Sequence, residues 1–171
     1  MLFRSGIFYT NESNAEIAGY LDADWGGSMK DGKSTSGGCF FLGTNLVAWH
    51  SKKQNCISLS TAESEYVATG SCCTQMVWMK QMLKDYGMLQ GKLTIFCDNT
   101  SAISIAKNHV QHSRTKHIDL RYHYIRDLVE KDILELCFIE TEKQLADILT
   151  KPLDTARFEY LRNALGICTE P

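Results

Sequence analysis

The stretch IAGYLDADWGG, Ile17 to Gly27, sets the reading of the whole chain. It predicts a buried strand over Ile17–Ala23, with Ile17, Tyr20 and Leu21 running into an interior. Two acids, Asp22 and Asp24, stand at its end. Residues two apart on a strand share a face, so both acids would point the same way if the strand ran through them. Trp25-Gly26-Gly27 predicts that the chain turns away first. Asp24 then becomes a loop acid that caps backbone N–H groups of the turn. Asp22 is left as either the opening of a turn or an acid wanted inside.

Outward from this strand, the loop GGSMKDGKS is rich in turn formers. TSGGCFFLG and NLVAWHS read as two more strands joined by Gly43-Thr44-Asn45, a short hairpin connection. The run LSTAESEYVATGSCCTQMVWMKQMLKDYG reads as a long helix. Ser60 with Glu63 three residues later forms a capping box, and Gly87 is placed as its C-terminal stop. Ala62, Ala68, Gly70, Ser71 and Cys73 are small, so this helix can press closely on a sheet.

KLTIFCD is a strand ending in Asp98, and NTSAISIAKN a short helix after it. HIDLRYHYIRDLVEKD is a helix with an apolar stripe of Ile118, Tyr122, Ile125 and Val129. ILELCFIE alternates like a strand. EKQLADILTK and DTARFEYLRNALG predict two closing helices, broken at Lys151-Pro152. A hairpin start is antiparallel, whereas a strand–helix–strand unit implies parallel pairing through a right-handed crossover. The expected fold is α/β: a mixed five-stranded sheet, three antiparallel strands and then parallel ones, with helices packed on it.

The bulk numbers fit one domain. The chain has 171 residues, 44% of them hydrophobic, enough for a sizeable core. No apolar run reaches the ~18 residues of a membrane span, and MLFRSGIFYTNES is too polar for a signal peptide. The seven cysteines include no CxxC pair, which argues for reduced thiols in an intracellular protein and against a zinc site. A net charge of −2 gives no global signal for nucleic acid, so any such binding must rest on a local patch.

Four acids sit where a core would rather have none: Asp22, Glu65, Asp98 and Asp147. Each alone has an ordinary explanation. Asp22 can begin a turn, Glu65 can complement a helix dipole, Asp98 can cap a helix, and Asp147 can be a solvated helical residue. Together they point elsewhere. Parallel strands gather their C-terminal ends and helix N-termini at one edge, and clustered carboxylates repel one another unless a cation lies between them. Hard oxygen donors select Mg²⁺, or Mn²⁺. A carboxylate site holding two such ions suits in-line hydrolysis of a phosphodiester.

Six motifs then carry a resemblance: YLDADWGG, KSTSGG, LSTAESEYVA, FCDNTSAI, HSRTKHIDLRYHYIRDLV and FIETEKQLADILTKPL. In this order they resemble the ribonuclease H domain of Copia-type (Pseudoviridae-like) LTR-retrotransposon polyproteins, those of plants above all. The resemblance implies a ribonuclease H-like domain over residues 15–171, after a 1–14 tail like the end of the reverse transcriptase and connection region. It implies a metal-dependent endonuclease that cuts the RNA strand of RNA–DNA hybrids during reverse transcription, with two Mg²⁺ ions held by Asp22, Glu65, Asp98 and Asp147. Of the two glutamates in AESEYVA, Glu65 matches the family pattern and Glu63 keeps its capping role. The implied partners are the hybrid and the reverse transcriptase domain of the same polyprotein, with no membrane. The implied location is intracellular, in a cytoplasmic virus-like particle or the nucleus.

The chain departs from the family in one place: Thr141–Ala146, before the last acid, holds no His. A basic protrusion is also not evident. In its stead, Arg114, Lys116, Arg121 and Arg126 against Asp119 give a local excess of +3. Arg114, Lys116, His117 and Arg121 are the expected phosphate contacts. The competing expectation is a domesticated or decayed remnant that binds nucleic acid or protein without cutting. Four intact acids favour the enzyme.

Overall fold

The strand that opens the sequence argument lies at the centre of the sheet. In the computed structural model, which describes residues 5–11, 16–107 and 119–169, β2 runs Ile17–Asp24. It pairs antiparallel with β3 (Thr35–Leu42), which pairs antiparallel with β4 (Asn45–Lys53). On its other side β2 pairs parallel with β5 (Leu93–Cys97), and β5 parallel with β6 (Leu134–Phe138). The five strands make the expected mixed sheet, and the structure gives their order as β4-β3-β2-β5-β6. The hairpin turn uses Gly43 at φ 63°, the left-handed region that glycine enters without a Cβ penalty.

The helices are α1 (Thr61–Asp85), α2 (Thr100–Lys107), α3 (Asp119–Glu130) and α4 (Thr155–Ala164). Helix α1 touches β2 and β3 as well as α2 and α3, so it is buried on more than one side. Its small residues allow this. Gly19 on β2 lies so close to α1 that an added Cβ would meet Met76 Sδ at 2.8 Å. The capping box forms nearly as expected: Ser60 accepts from the Glu63 N–H at 3.2 Å. Glu63 reaches back to the Leu59 N–H at 2.8 Å, one residue earlier than the usual partner. At the other end Gly87 has φ 79°, and the Met88 N–H bonds to the Leu83 carbonyl, a Schellman closure.

Strand alternation divides the core in two. Phe40 faces α1 with Leu21, Tyr66 and Ile95, while its neighbours Cys39 and Phe41 face a second cluster with Leu46, Ala146 and Leu165. Each large apolar side chain among them contributes roughly 1.5–3 kcal/mol. The second cluster is roofed by residues 141–149, and here the structure corrects the sequence reading. EKQLADILTK is not an α-helix but two 3-10 turns, Thr141–Lys143 and Leu145–Leu149. Gln144 between them is extended, and its side chain caps the second turn at the Ala146 N–H. Leu145, Ala146, Ile148 and Leu149 all join the second cluster. Packing against the sheet overrides the helical propensity of this short segment.

Two further corrections follow. The first strand does not stop before Asp24: it pairs Asp24 with Thr35. The carboxylate of Asp24 nevertheless does the turn work expected of it, accepting the Thr35 N–H. The termini also form an unexpected small sheet, β1 (Ser5–Ile7) antiparallel to β7 (Ile167–Thr169). Three residues on each side are too few to show alternation in sequence. Ile118 and the side chain of Tyr122, expected on the stripe of α3, lie outside the described residues; of the same stripe, Ile125 is buried and Val129 packs against the core.

Candidate active site

Parallel pairing of β2 with β5 puts their C-terminal ends side by side. Tyr20 is opposite Phe96, so two residues on, Asp22, still paired with β3, and Asp98, just past the end of β5, stand at the same edge. Helix α1 begins over this edge and presents Glu65 from its first turns. Asp22, Glu65 and Asp98 line one cavity of about 300 Å³, with Thr61, Asn99 and Lys151. Asp147, in the second 3-10 turn, lies beside it and is joined to Asp22 through Lys151.

The ordinary explanations for these acids are taken up by their neighbours. Helix α2 is capped by Asn99, whose Oδ1 accepts the Ala102 N–H at 3.0 Å, so Asp98 is free to face the cavity. Glu63 caps α1, so Glu65 is not needed there. Asp24 holds the turn, so Asp22 is not needed for it. Asp147 is 4% exposed, not a solvated helical residue.

Each carboxylate is fixed differently. Thr150 donates its hydroxyl to Asp22 Oδ2. Thr141 donates to Asp98 Oδ2 at 2.8 Å. Glu65 Oε1 accepts the Ala23 N–H at 3.1 Å, whereas its buried Oε2 has no hydrogen-bond donor. Burial, followed by the charges of Asp22 and Asp98, pushes the Glu65 carboxyl up to about 9. Burial also raises Asp22, against the opposing pull of Thr150 and Lys151. Buried carboxylates that face one another are stable as anions only with a cation among them. The orphaned Glu65 Oε2 and the all-oxygen donor set of the acids therefore fit a hard divalent ion.

Glu65, Asp98 and Cys97 can bring one donor atom each within 4.8 Å of one another. The Cys97 thiol is pushed up, by burial first and by Glu65 second, and it is engaged with the Asn99 backbone. It is thus held protonated and is a poor ligand for a hard ion.

Asp147 is held by two cations. Lys151 Nζ lies 2.9 Å from Oδ1, and Arg157 Nη2 lies 3.3 Å from Oδ2. Arg157 also donates to the carbonyls of Glu142 and Thr141. Sequence reasoning missed Thr141, Thr150, Lys151 and Arg157. Only Lys151 had a signal, its spacing of four residues from Asp147. Arg157 reaches the site from α4, which no local pattern reveals. Arg114, Lys116 and His117 lie outside the described residues, as does the side chain of Arg121.

No protein-family model matches the chain. Among curated proteins it is 39% identical over 155 residues to the "Retrovirus-related Pol polyprotein from transposon TNT 1-94" of Nicotiana tabacum. It is 36% identical over 167 residues to that of transposon RE1 of Arabidopsis thaliana. These matches cover 91% and 97% of this chain but only 12% and 11% of the relatives.

Among solved structures, a ribonuclease H isolated from compost superposes with a TM-score of 0.60 at 16% identity, over 80% of this chain and 93% of that one. The same enzyme solved in complex with an RNA/DNA hybrid gives 0.53 at 15% identity, over 79% and 94%. The N-terminal ribonuclease H domain of a Mycobacterium tuberculosis protein gives 0.58 at 11%, over 88% and 98%. The chain is thus homologous to one segment of the retrotransposon Pol polyproteins of plants, and its fold is that of ribonuclease H.

Proposed function

We propose that the chain is a nuclease domain that hydrolyses the RNA strand of RNA–DNA hybrids during reverse transcription, with Mg²⁺ as its cofactor and Mn²⁺ as a substitute. One observation carries the reading: three carboxylates from three separate elements meet at one cavity, and the buried Glu65 Oε2 among them has no donor. Asp22, Glu65 and Asp98 would hold one ion, and Asp22 with Asp147 a second. Bound there, two ions would supply an activated water and a stabilised leaving oxygen. The relatives are retrotransposon polyproteins, and one structural neighbour was solved with an RNA/DNA hybrid; both support this substrate class.

The chain's own groups set the stage for that chemistry. The Ala23 N–H and the hydroxyls of Thr141 and Thr150 orient Glu65, Asp98 and Asp22. A hybrid would be recognised by its geometry and 2′-hydroxyls, not its sequence. Arg114, Lys116, His117 and Arg121 would contact phosphates. The reverse transcriptase portion of the same polyprotein is the natural partner.

The test is cleavage of a labelled hybrid in Mg²⁺, with thermal unfolding as the control for fold. Asp22→Asn and Asp98→Asn are each expected to abolish cleavage and to leave a folded protein. Asp24→Asn is expected to cost no more than about tenfold, or ~1.4 kcal/mol of barrier, because Asp24 serves the Thr35 N–H instead. Near-parental cleavage by Asp98→Asn would sink the metal role.

A further inference from the structure

The two cations on Asp147 are not equivalent. Arg157 is 21% exposed and has two backbone carbonyls to hold it besides Asp147. Lys151 is 40% exposed, lies 2.9 Å from Asp147 and 3.6 Å from Asp22, and lines the cavity. Its ion pairs are with these two carboxylates, and the charge of Asp98 also attracts it. The chain runs into Pro152 directly after it, which fixes the backbone φ there but leaves the four-carbon stem free. The ammonium therefore lies in the gap between Asp22 and Asp147, on an arm that can leave. Asp22, Glu65 and Asp98 line the same cavity as Lys151, and there the Glu65 Oε2 has no donor.

We propose that Lys151 is a tethered counter-ion for the Asp22–Asp147 pair, and that a divalent cation can enter this gap only by displacing it. The inference deepens the proposed nuclease function and rests on it. Like charges this close exclude each other: an ammonium and a divalent ion cannot share the gap between two carboxylates. Two consequences follow. Filling the two ion positions is ordered, with the Asp22–Glu65–Asp98 side first and the Asp147 side at higher concentration. The unliganded protein is also spared the full repulsion of Asp22 and Asp147. Lys151 is in this sense a positioning residue that sets the concentration at which the second position fills.

The test is calorimetric titration of Mn²⁺ into the full 171-residue chain and into Lys151→Gln and Lys151→Met, without nucleic acid. The parent is expected to bind one ion tightly and a second weakly. Both variants are expected to tighten the weak step about tenfold or more and the tight step by clearly less, since Lys151 also lies near Asp22. In chelator they are expected to unfold at a lower temperature than the parent. A direct readout needs no variant: the lysine side-chain NMR signal of Lys151 in the parent is expected to move more with the second Mg²⁺ equivalent than with the first. Equal Mn²⁺ affinities in parent and variants overturn the counter-ion role, as does a Lys151 signal that ignores Mg²⁺. Absence of Mn²⁺ binding in all three proteins overturns the two-ion reading itself, and this inference with it.

Discussion

Glu65 shows how one residue can be costly to the fold and useful to the site. Its carboxyl is buried, with one oxygen accepting the Ala23 N–H, the other without a donor, and the Asp22 carboxyl close beside it. With its folded value raised to about 9 from the ordinary 4.5 of a glutamate, the folded state binds a proton that the unfolded state gives up. The favourable contribution is complete below about pH 4.5 and is lost as pH rises through about 9. In chelator the protein is expected to lose stability steadily from pH 5 to pH 9. Glu65→Gln is expected to flatten that slope and to exceed the parent at pH 8 by ~1 kcal/mol or more, a rise in Tm of a few degrees. Thermal unfolding across this pH range checks it; identical slopes in parent and variant would mean that Glu65 carries no such burden. Saturating Mg²⁺ is expected to reverse the order, because the ion stabilises only the carboxylate.

At the scale of elements, the decisive contact is between β3 and the second 3-10 turn. Gly37 pairs with Asp22 across the sheet. A Cβ on Gly37 would meet Thr150 Cγ2 at 2.6 Å, Leu149 Cβ at 3.0 Å and the Ala146 carbonyl at 3.1 Å. The absent side chain is what lets residues 145–150 lie on the strand and carry Asp147 and Thr150 to Asp22. Gly37→Ala is expected to push that segment off the sheet, at a cost of about 1–3 kcal/mol from overpacking. Hybrid cleavage is expected to fall far more than stability does. Gly38→Ala is the control: its Cβ would meet His50 and Cys72 instead, and so strains the core without touching Asp147. Equal losses of cleavage in the two folded variants would argue against a special role for the β3 contact.

Across the whole molecule, the near-neutral charge leaves affinity to a local patch. If Arg114 and Lys116 bind phosphates, Arg114→Ala with Lys116→Ala is expected to weaken hybrid binding. It is also expected to reduce the slope of log Kd against log salt by about 2, near one counterion per contact. The single-turnover rate of bound hybrid is expected to stay close to the parent's. An unchanged salt slope would reduce these residues to surface charge. The chain corresponds to about an eighth of its relatives' length, so affinity measured on it alone reports this domain's share only.

By itself the sequence determined the sheet. β2, β3, β4, β5 and β6 each show alternation or an apolar run between turn signals, and those patterns are local. It also marked the four acids, because a carboxylate at the end of an apolar strand or inside an apolar run conflicts with its surroundings. Tertiary structure decided the rest. Residues 141–149 carry a helical pattern but lie on a sheet face whose packing favours 3-10 turns, an energy no local window contains. β1 and β7 are three residues each and exist only because the chain ends meet. Thr141, Thr150 and Arg157 are ordinary residues in sequence. They reach Asp98, Asp22 and Asp147 over separations of 43, 128 and 10 residues, and only the closed fold makes them partners.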